Sequence, residues 1–164
     1  MTTIVCKVEK NNVILLADSL ITESERFNKM KSSLKINKIY KLDEFRIAFA
    51  GDMMYTHIIK EFLSQHIQEL ITGNDFELKV VAEIKKTIQN YIGSSLPSYT
   101  ELSGIFTYQN RAFEFDIESG ALFEINDFQA LGTGAIYALT ALHLGHSPQE
   151  ALEIACKLDP YSEL

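Results

Sequence analysis

The chain has 164 residues, of which 46% are hydrophobic and 23% charged, near the averages for chains that fold around a core and far from those of disordered or low-complexity sequences. Fifteen basic residues against 22 acidic ones give a net charge of −7, the opposite field from that of a general nucleic-acid binder. The apolar runs are too short to span a bilayer, and Lys7, Glu9 and Lys10 break up the N-terminus where a signal peptide would be apolar. One cytoplasmic domain covering 1–164, with neither nucleic acid nor membrane as partner, is the expectation.

In chain order, the first signal is a β-hairpin. Ile4, Cys6 and Val8 alternate with their neighbours from Thr2 to Glu9, and Asn11-Asn12 turns the chain into the apolar run Val13 to Ala17. Leu34 to Leu42 and Glu44 to Ala50 read as a second pair of strands ending at Gly51. The period then changes. Tyr55, Ile58, Ile59, Phe62, Leu63, Ile67, Leu70 and Ile71 recur at three and four, with Gly73 as a stop, and Leu78 to Ile92 repeats the pattern before a Gly-Ser-Pro loop. Strands return at Glu101 to Tyr108, Ala112 to Ile117 and Leu122 to Ile125. Gly132-Thr133-Gly134 opens an apolar helix to about Leu144, and Ser147-Pro148-Gln149-Glu150 reads as a capping box starting a last helix. Strands, two helices, strands, two helices predict an α+β protein with antiparallel sheets and helix pairs outside.

Four short stretches have chemical potential. Thr2 follows a methionine of the kind commonly trimmed, and an exposed Thr2 would carry a hydroxyl and an α-amine, whose reference pKa of about 7.7–8.0 leaves much of it neutral near physiological pH. Asp18 leaves the second strand in Leu-Ala-Asp-Ser. Lys35 stands between apolar Leu34 and Ile36. In Phe49-Ala50-Gly51-Asp52, a strand passes through glycine into a helix and leaves an amide able to donate to an oxyanion. The two cysteines, Cys6 and Cys156, lack metal-ligand spacing and read as buried reduced thiols. The four histidines, His57, His66, His143 and His146, lie on or just beyond helices with no matching nucleophile.

Together TTIV, ADSLIT, KINKIY, IAFAG, LGTGAIYALTAL and DPYS resemble the β-subunits of proteasomes and the HslV peptidase, which are N-terminal nucleophile hydrolases. The resemblance implies a four-layer αββα sandwich and a threonine-type peptidase acting on unfolded polypeptides, with no cofactor and no metal. It implies Thr2 as nucleophile with its own amine as base, Asp18 and Lys35 as the charged pair, and the Gly51 amide as oxyanion donor. Thr133, Asp159 and Ser162 would brace the N-terminus. Thr22 would pair with substrate backbone, and Phe49 and Met53 would line a pocket for a large apolar side chain. A homo-oligomeric ring is implied, and an ATP-dependent unfoldase is a partner the family allows. A catalytically silent scaffold and a small-molecule amidase are the rival readings, since a fold does not fix a substrate. Three departures stand out: the sequence stops at Leu164, two residues past Ser162, so the usual C-terminal strand is expected to be absent; the stretch Glu23 to Ser33 lacks the usual glycine; and Met1, if retained, turns the Thr2 amine into an amide.

Overall fold

The structure, a computed structural model, describes residues 2–20, 36–73, 75–93 and 102–164. Two antiparallel sheets carry the strands. The first has the order β2-β1-β8, from β1 (Thr3–Glu9), β2 (Asn12–Ala17) and β8 (Phe128–Gly132). The second has the order β3-β4-β5-β6-β7, from β3 (Ile39–Leu42), β4 (Phe45–Gly51), β5 (Leu102–Tyr108), β6 (Arg111–Asp116) and β7 (Leu122–Ile125). Helices α1 (Met53–Thr72) and α2 (Phe76–Ile92) follow β4, and α3 (Ala135–His143) and α4 (Pro148–Leu158) follow β8.

Side-chain alternation along the strands stacks these elements into four layers with three apolar cores between them. Ile4 and Cys6 of β1 meet Val13 and Leu15 of β2 and, from the other sheet, Ala48, Ala50, Ile105, Ala112 and Ile125. Val5, on the opposite face of β1, packs with Ala130 and with Ala138, Leu142, Leu152 and Ala155 of α3 and α4. The second sheet turns Phe45, Ile47, Phe49, Phe106 and Phe115 toward Ile59, Leu63, Ile84 and Ile88 of α1 and α2. Strand β1 is thus buried on both faces, which is why Thr3 to Cys6 show no solvent exposure.

Local chemistry sets the helix ends. The Asp52 carboxylate accepts from the Met54 N–H at 2.8 Å and caps α1. Ser147 and Glu150 form the expected reciprocal box with Pro148 in the first turn of α4. Gly93 ends α2 with φ 69°, where a Cβ would be strained, whereas Gly73 ends α1 in extended backbone, φ −75°. Among the described residues no helix is long and apolar enough to cross a membrane.

The structure differs from the sequence reading in three places. Strand β3 begins at Ile39, with residues 36–38 approaching it as loop. The helix expected from Gly132 begins at Ala135, because Phe128 to Gly132 is a strand. In the first sheet that strand flanks β1, with Thr3 opposite Gly132. Leu34, the Glu23 to Ser33 stretch and the loop after Gly93 lie outside the described residues.

Phe106 stacks on Phe45 and Phe113 at ring-centroid distances of 5.3 and 5.0 Å and meets Phe76 edge-on at 5.6 Å. Phe106→Ala should therefore lower stability by about 3–5 kcal/mol. Urea denaturation should show a lower midpoint with an unchanged slope.

Candidate active site

The site is assembled where β1 begins. The peptide N–H of Thr3 donates to Asp18 Oδ1 at 2.7 Å, and the Asp18 N–H donates back to the Thr3 carbonyl at 3.0 Å, so the first hairpin closes on its own acid. The same carboxylate accepts from the Leu20 N–H at 3.1 Å and from the Glu163 N–H at 3.5 Å. Its remaining partner among the described residues is an ammonium: Lys38 Nζ lies 2.8 Å from Oδ1, with side-chain exposures of 6% for the lysine and 0% for the aspartate. A buried carboxylate bonded to three N–H groups and one cation has its negative charge met on all sides.

Among the described residues it is Lys38 that takes the place the sequence reading gave to Lys35. Lys35 itself lies outside the described residues. Both lysines precede an isoleucine. What separates them is the hairpin register: Leu42 pairs with Phe45 and Ile39 with Ala48, so Lys38 is the residue immediately before the ladder. Burial pushes the Lys38 ammonium below its ordinary pKa of 10.5, and the attraction of Asp18 only partly opposes this.

A second set of groups approaches from β8 and the end of α4. The Thr2 carbonyl accepts from the Thr133 N–H at 3.0 Å, prolonging the β1–β8 pairing by one residue. Gly132, at φ +90°, lets this happen, because a Cβ there would fall on the Thr2 carbonyl. Asp159 is 4% exposed, and its Oδ2 accepts from Thr133 Oγ1 and from Ser162 Oγ, each at 2.6 Å. Ser162 Oγ in turn lies 2.6 Å from Thr3 Oγ1, which also accepts from the Gly134 N–H at 3.1 Å. The chain past α4 stays against the site, since the Glu163 carbonyl accepts from the Ser19 N–H at 2.8 Å.

Thr2 is 7% exposed. Its parity with Ile4 and Cys6 assigns it to the face of the first sheet that looks across the inter-sheet core, while Thr3 looks toward α4. Gly51 closes β4 with φ 134° and is exposed, one residue beyond Ala50, which shares the inter-sheet core with Ile4. Phe49, read from the sequence as lining a pocket, lies in a packed core. It packs between Tyr40 and Phe115 at 6.1 and 5.9 Å in the core beneath α1 and α2, so the face of β4 turned toward the first sheet carries Ala48 and Ala50 instead. Met53 begins α1, its side chain lying outside the described residues, as Thr22 does altogether.

Of the residues the sequence reading named, Asp18, Thr133, Asp159 and Ser162 gather around Thr2 and Thr3 at the start of β1, where Lys38 and Gly134, which it passed over together with Thr3, join them. Neither cysteine offers a thiolate there. The Cys156 thiol, on α4 in the field of Asp18 and Asp159, is pushed up to about 12, first by burial, and burial alone does the same to Cys6. All four histidines are exposed.

As a site, this is a buried cation and carboxylate bonded to the main chain of Thr3, and a buried acid with two hydroxyls linked to the Thr3 side chain, next to Thr2. The sequence profile of the proteasome subunit family matches residues 1–158. Among solved structures, the eukaryotic HslV from Trypanosoma brucei is similar with a TM-score of 0.73 at 23% identity, over 98% of this chain and 94% of that one. BPH from Thiobacillus denitrificans has a TM-score of 0.75 at 12% identity, over 99% and 93%. The same protein in complex with epoxomicin gives 0.68 at 14%, again over 99% and 93%. No curated protein matches by sequence.

The direction of the Lys38 shift makes a pH prediction. Any reaction that uses the Lys38 charge should lose rate as pH rises through a pKa below 10.5. Stability should move the other way: between that pKa and 10.5 the unfolded chain binds more protons than the folded one, so stability rises with pH. A pH–rate profile set beside denaturation midpoints across the alkaline range should show the two opposite trends. Parallel decline of both would contradict the assignment.

Proposed function

The chain belongs to the proteasome subunit family, and from that premise we propose that it is a threonine peptidase whose nucleophile is Thr2 after removal of Met1. The observation that carries this reading is the buried Lys38–Asp18 pair bonded to the peptide N–H directly after Thr2.

With Met1 removed, the neutral α-amine of Thr2 takes the proton from Oγ1 as that oxygen attacks the substrate carbonyl. Lys38 holds a positive charge beside the developing alkoxide and lowers its proton affinity. Asp18 keeps the lysine charged and in place. The Gly51 N–H, on backbone without a Cβ, receives the oxyanion. Collapse of the tetrahedral intermediate expels the peptide amine, which takes the proton held on the Thr2 amine. An ester on Thr2 remains, and water activated by the same amine then hydrolyses it. Thr133, Asp159 and Ser162 hold the opposite side of the N-terminus, and the Thr2 methyl restricts χ1 and aims the oxygen.

The substrate class is unfolded polypeptide, taken as an extended chain along Thr22. A homo-oligomeric ring that encloses the sites completes the proposal, with an ATP-dependent unfoldase as feeder and the cytoplasm as location. Ile136 and Leu144, 66% and 75% exposed on α3 and at its end, offer apolar surface for contacts between copies.

The test uses epoxomicin, the ligand of the Thiobacillus BPH complex, and a fluorogenic peptide with a large apolar residue before the scissile bond. The processed protein should form an adduct with the first and hydrolyse the second, and Thr2→Ala should abolish both. A protein that does neither is a scaffold. One that hydrolyses only small amides is an amidase.

A further inference from the structure

We propose that Thr3 is a positioning residue of this site, joining its two halves through different atoms; the inference rests on the reading of Thr2 as nucleophile. Thr3 is fully buried and so meets no substrate. Its peptide N–H is bonded to Asp18 Oδ1, the oxygen that also holds Lys38. Its hydroxyl belongs to the other half, and the donors there can be assigned. Ser162 has one hydroxyl proton, and it goes to the Asp159 carboxylate at 2.6 Å, a bond to charge and therefore the stronger choice. Across the 2.6 Å contact with Ser162, Thr3 must then be the donor, while its lone pair accepts the Gly134 N–H. The protons run Thr3 to Ser162 to Asp159, and Thr133 donates into the same carboxylate oxygen.

This arrangement does more than satisfy a buried hydroxyl. Each bond in the chain polarises the next, and its negative end lies on the acid whose other oxygen accepts from the Tyr161 N–H. Thr3 is thereby held by a charged group on either side, Asp18 by its main chain and Asp159 through Ser162. Thr2 is attached to it by one planar peptide unit, so the position of the nucleophile follows that of Thr3. Misplacement of a reacting group by about 1 Å can cost on the order of 100-fold in rate. The methyl of Thr3 has no part in the relay, and serine keeps every bond that carries it.

The experiment compares kcat and KM for the fluorogenic peptide in processed wild type, Thr3→Val, Thr3→Ser, Ser162→Ala and the Thr3→Val/Ser162→Ala double variant, with thermal melts to establish folding. Thr3→Val should lower kcat about tenfold with KM within about twofold, Thr3→Ser should stay within about threefold of wild type, and the double variant should be no worse than the poorer single one. A folded Thr3→Val with wild-type kcat overturns the inference, as does a Thr3→Ser as slow as Thr3→Val, or an effect on KM alone. If Thr3→Val does not fold, Ser162→Ala decides: an unchanged kcat overturns the inference. These failures appear in variants of an active enzyme. Wild-type inactivity toward both peptide and epoxomicin would instead remove the peptidase reading, and this inference with it.

Discussion

The structure of the site depends on one buried ion pair. Lys38 and Asp18 are both withdrawn from water, and an isolated charge in either position would be expensive. Asp18 avoids that cost by accepting from Lys38, Thr3, Leu20 and Glu163 at once. Each of these donors comes from a different part of the chain: the start of β1, the exit of β2, the entry to β3 and the residues past α4. The carboxylate therefore does the work of a cross-link. At Lys38 burial pushes the ammonium pKa down and the attraction of Asp18 only partly opposes it, and a buried ion pair is in general weak evidence for stability. The geometry of this pair is better explained by what it holds in place, the backbone next to Thr2.

The layers around the pair divide the work by parity. On β1, even-numbered residues meet the second sheet, and odd-numbered ones meet the layer of α3 and α4. Consecutive threonines consequently face different surroundings. Thr2 faces the second sheet, while Thr3 is tied to Ser162 and Gly134. A one-residue slip would exchange the two and put the wrong hydroxyl in each place. Gly132 guards against this slip, since only a residue without Cβ lets β8 approach the Thr2 carbonyl.

Much of this was legible in the sequence where local chemistry decides structure. The hairpin of Ile4, Cys6 and Val8, the periodic stripe of α1 and the Ser147–Glu150 box are local signals, and each formed as read. Asp18, Thr133, Asp159 and Ser162 were found by resemblance and do converge. What was missed depends on partners distant in sequence. Strand β8 has five residues of mixed propensity and is a strand because β1 lies beside it. That Lys38 stands immediately before the β3–β4 ladder depends on a register which the flanking apolar residues do not reveal. Phe49 was assigned to a pocket although it shares parity with Phe45 and Ile47, and strand alternation could have placed it beneath the helices. Thr3 gave no sign in the sequence, because its hydroxyl acquires meaning only when residues 134 and 162 arrive.

The central claim is that Thr2 acts through a free α-amine, and this has a direct measurement in the intact mass of the natively expressed protein. The account predicts a mass lower than that of the full sequence by one methionine, leaving Thr2 first. Uniform retention of Met1 would contradict it, because a Thr2 nitrogen held in a peptide bond has no lone pair with which to take the proton from Oγ1.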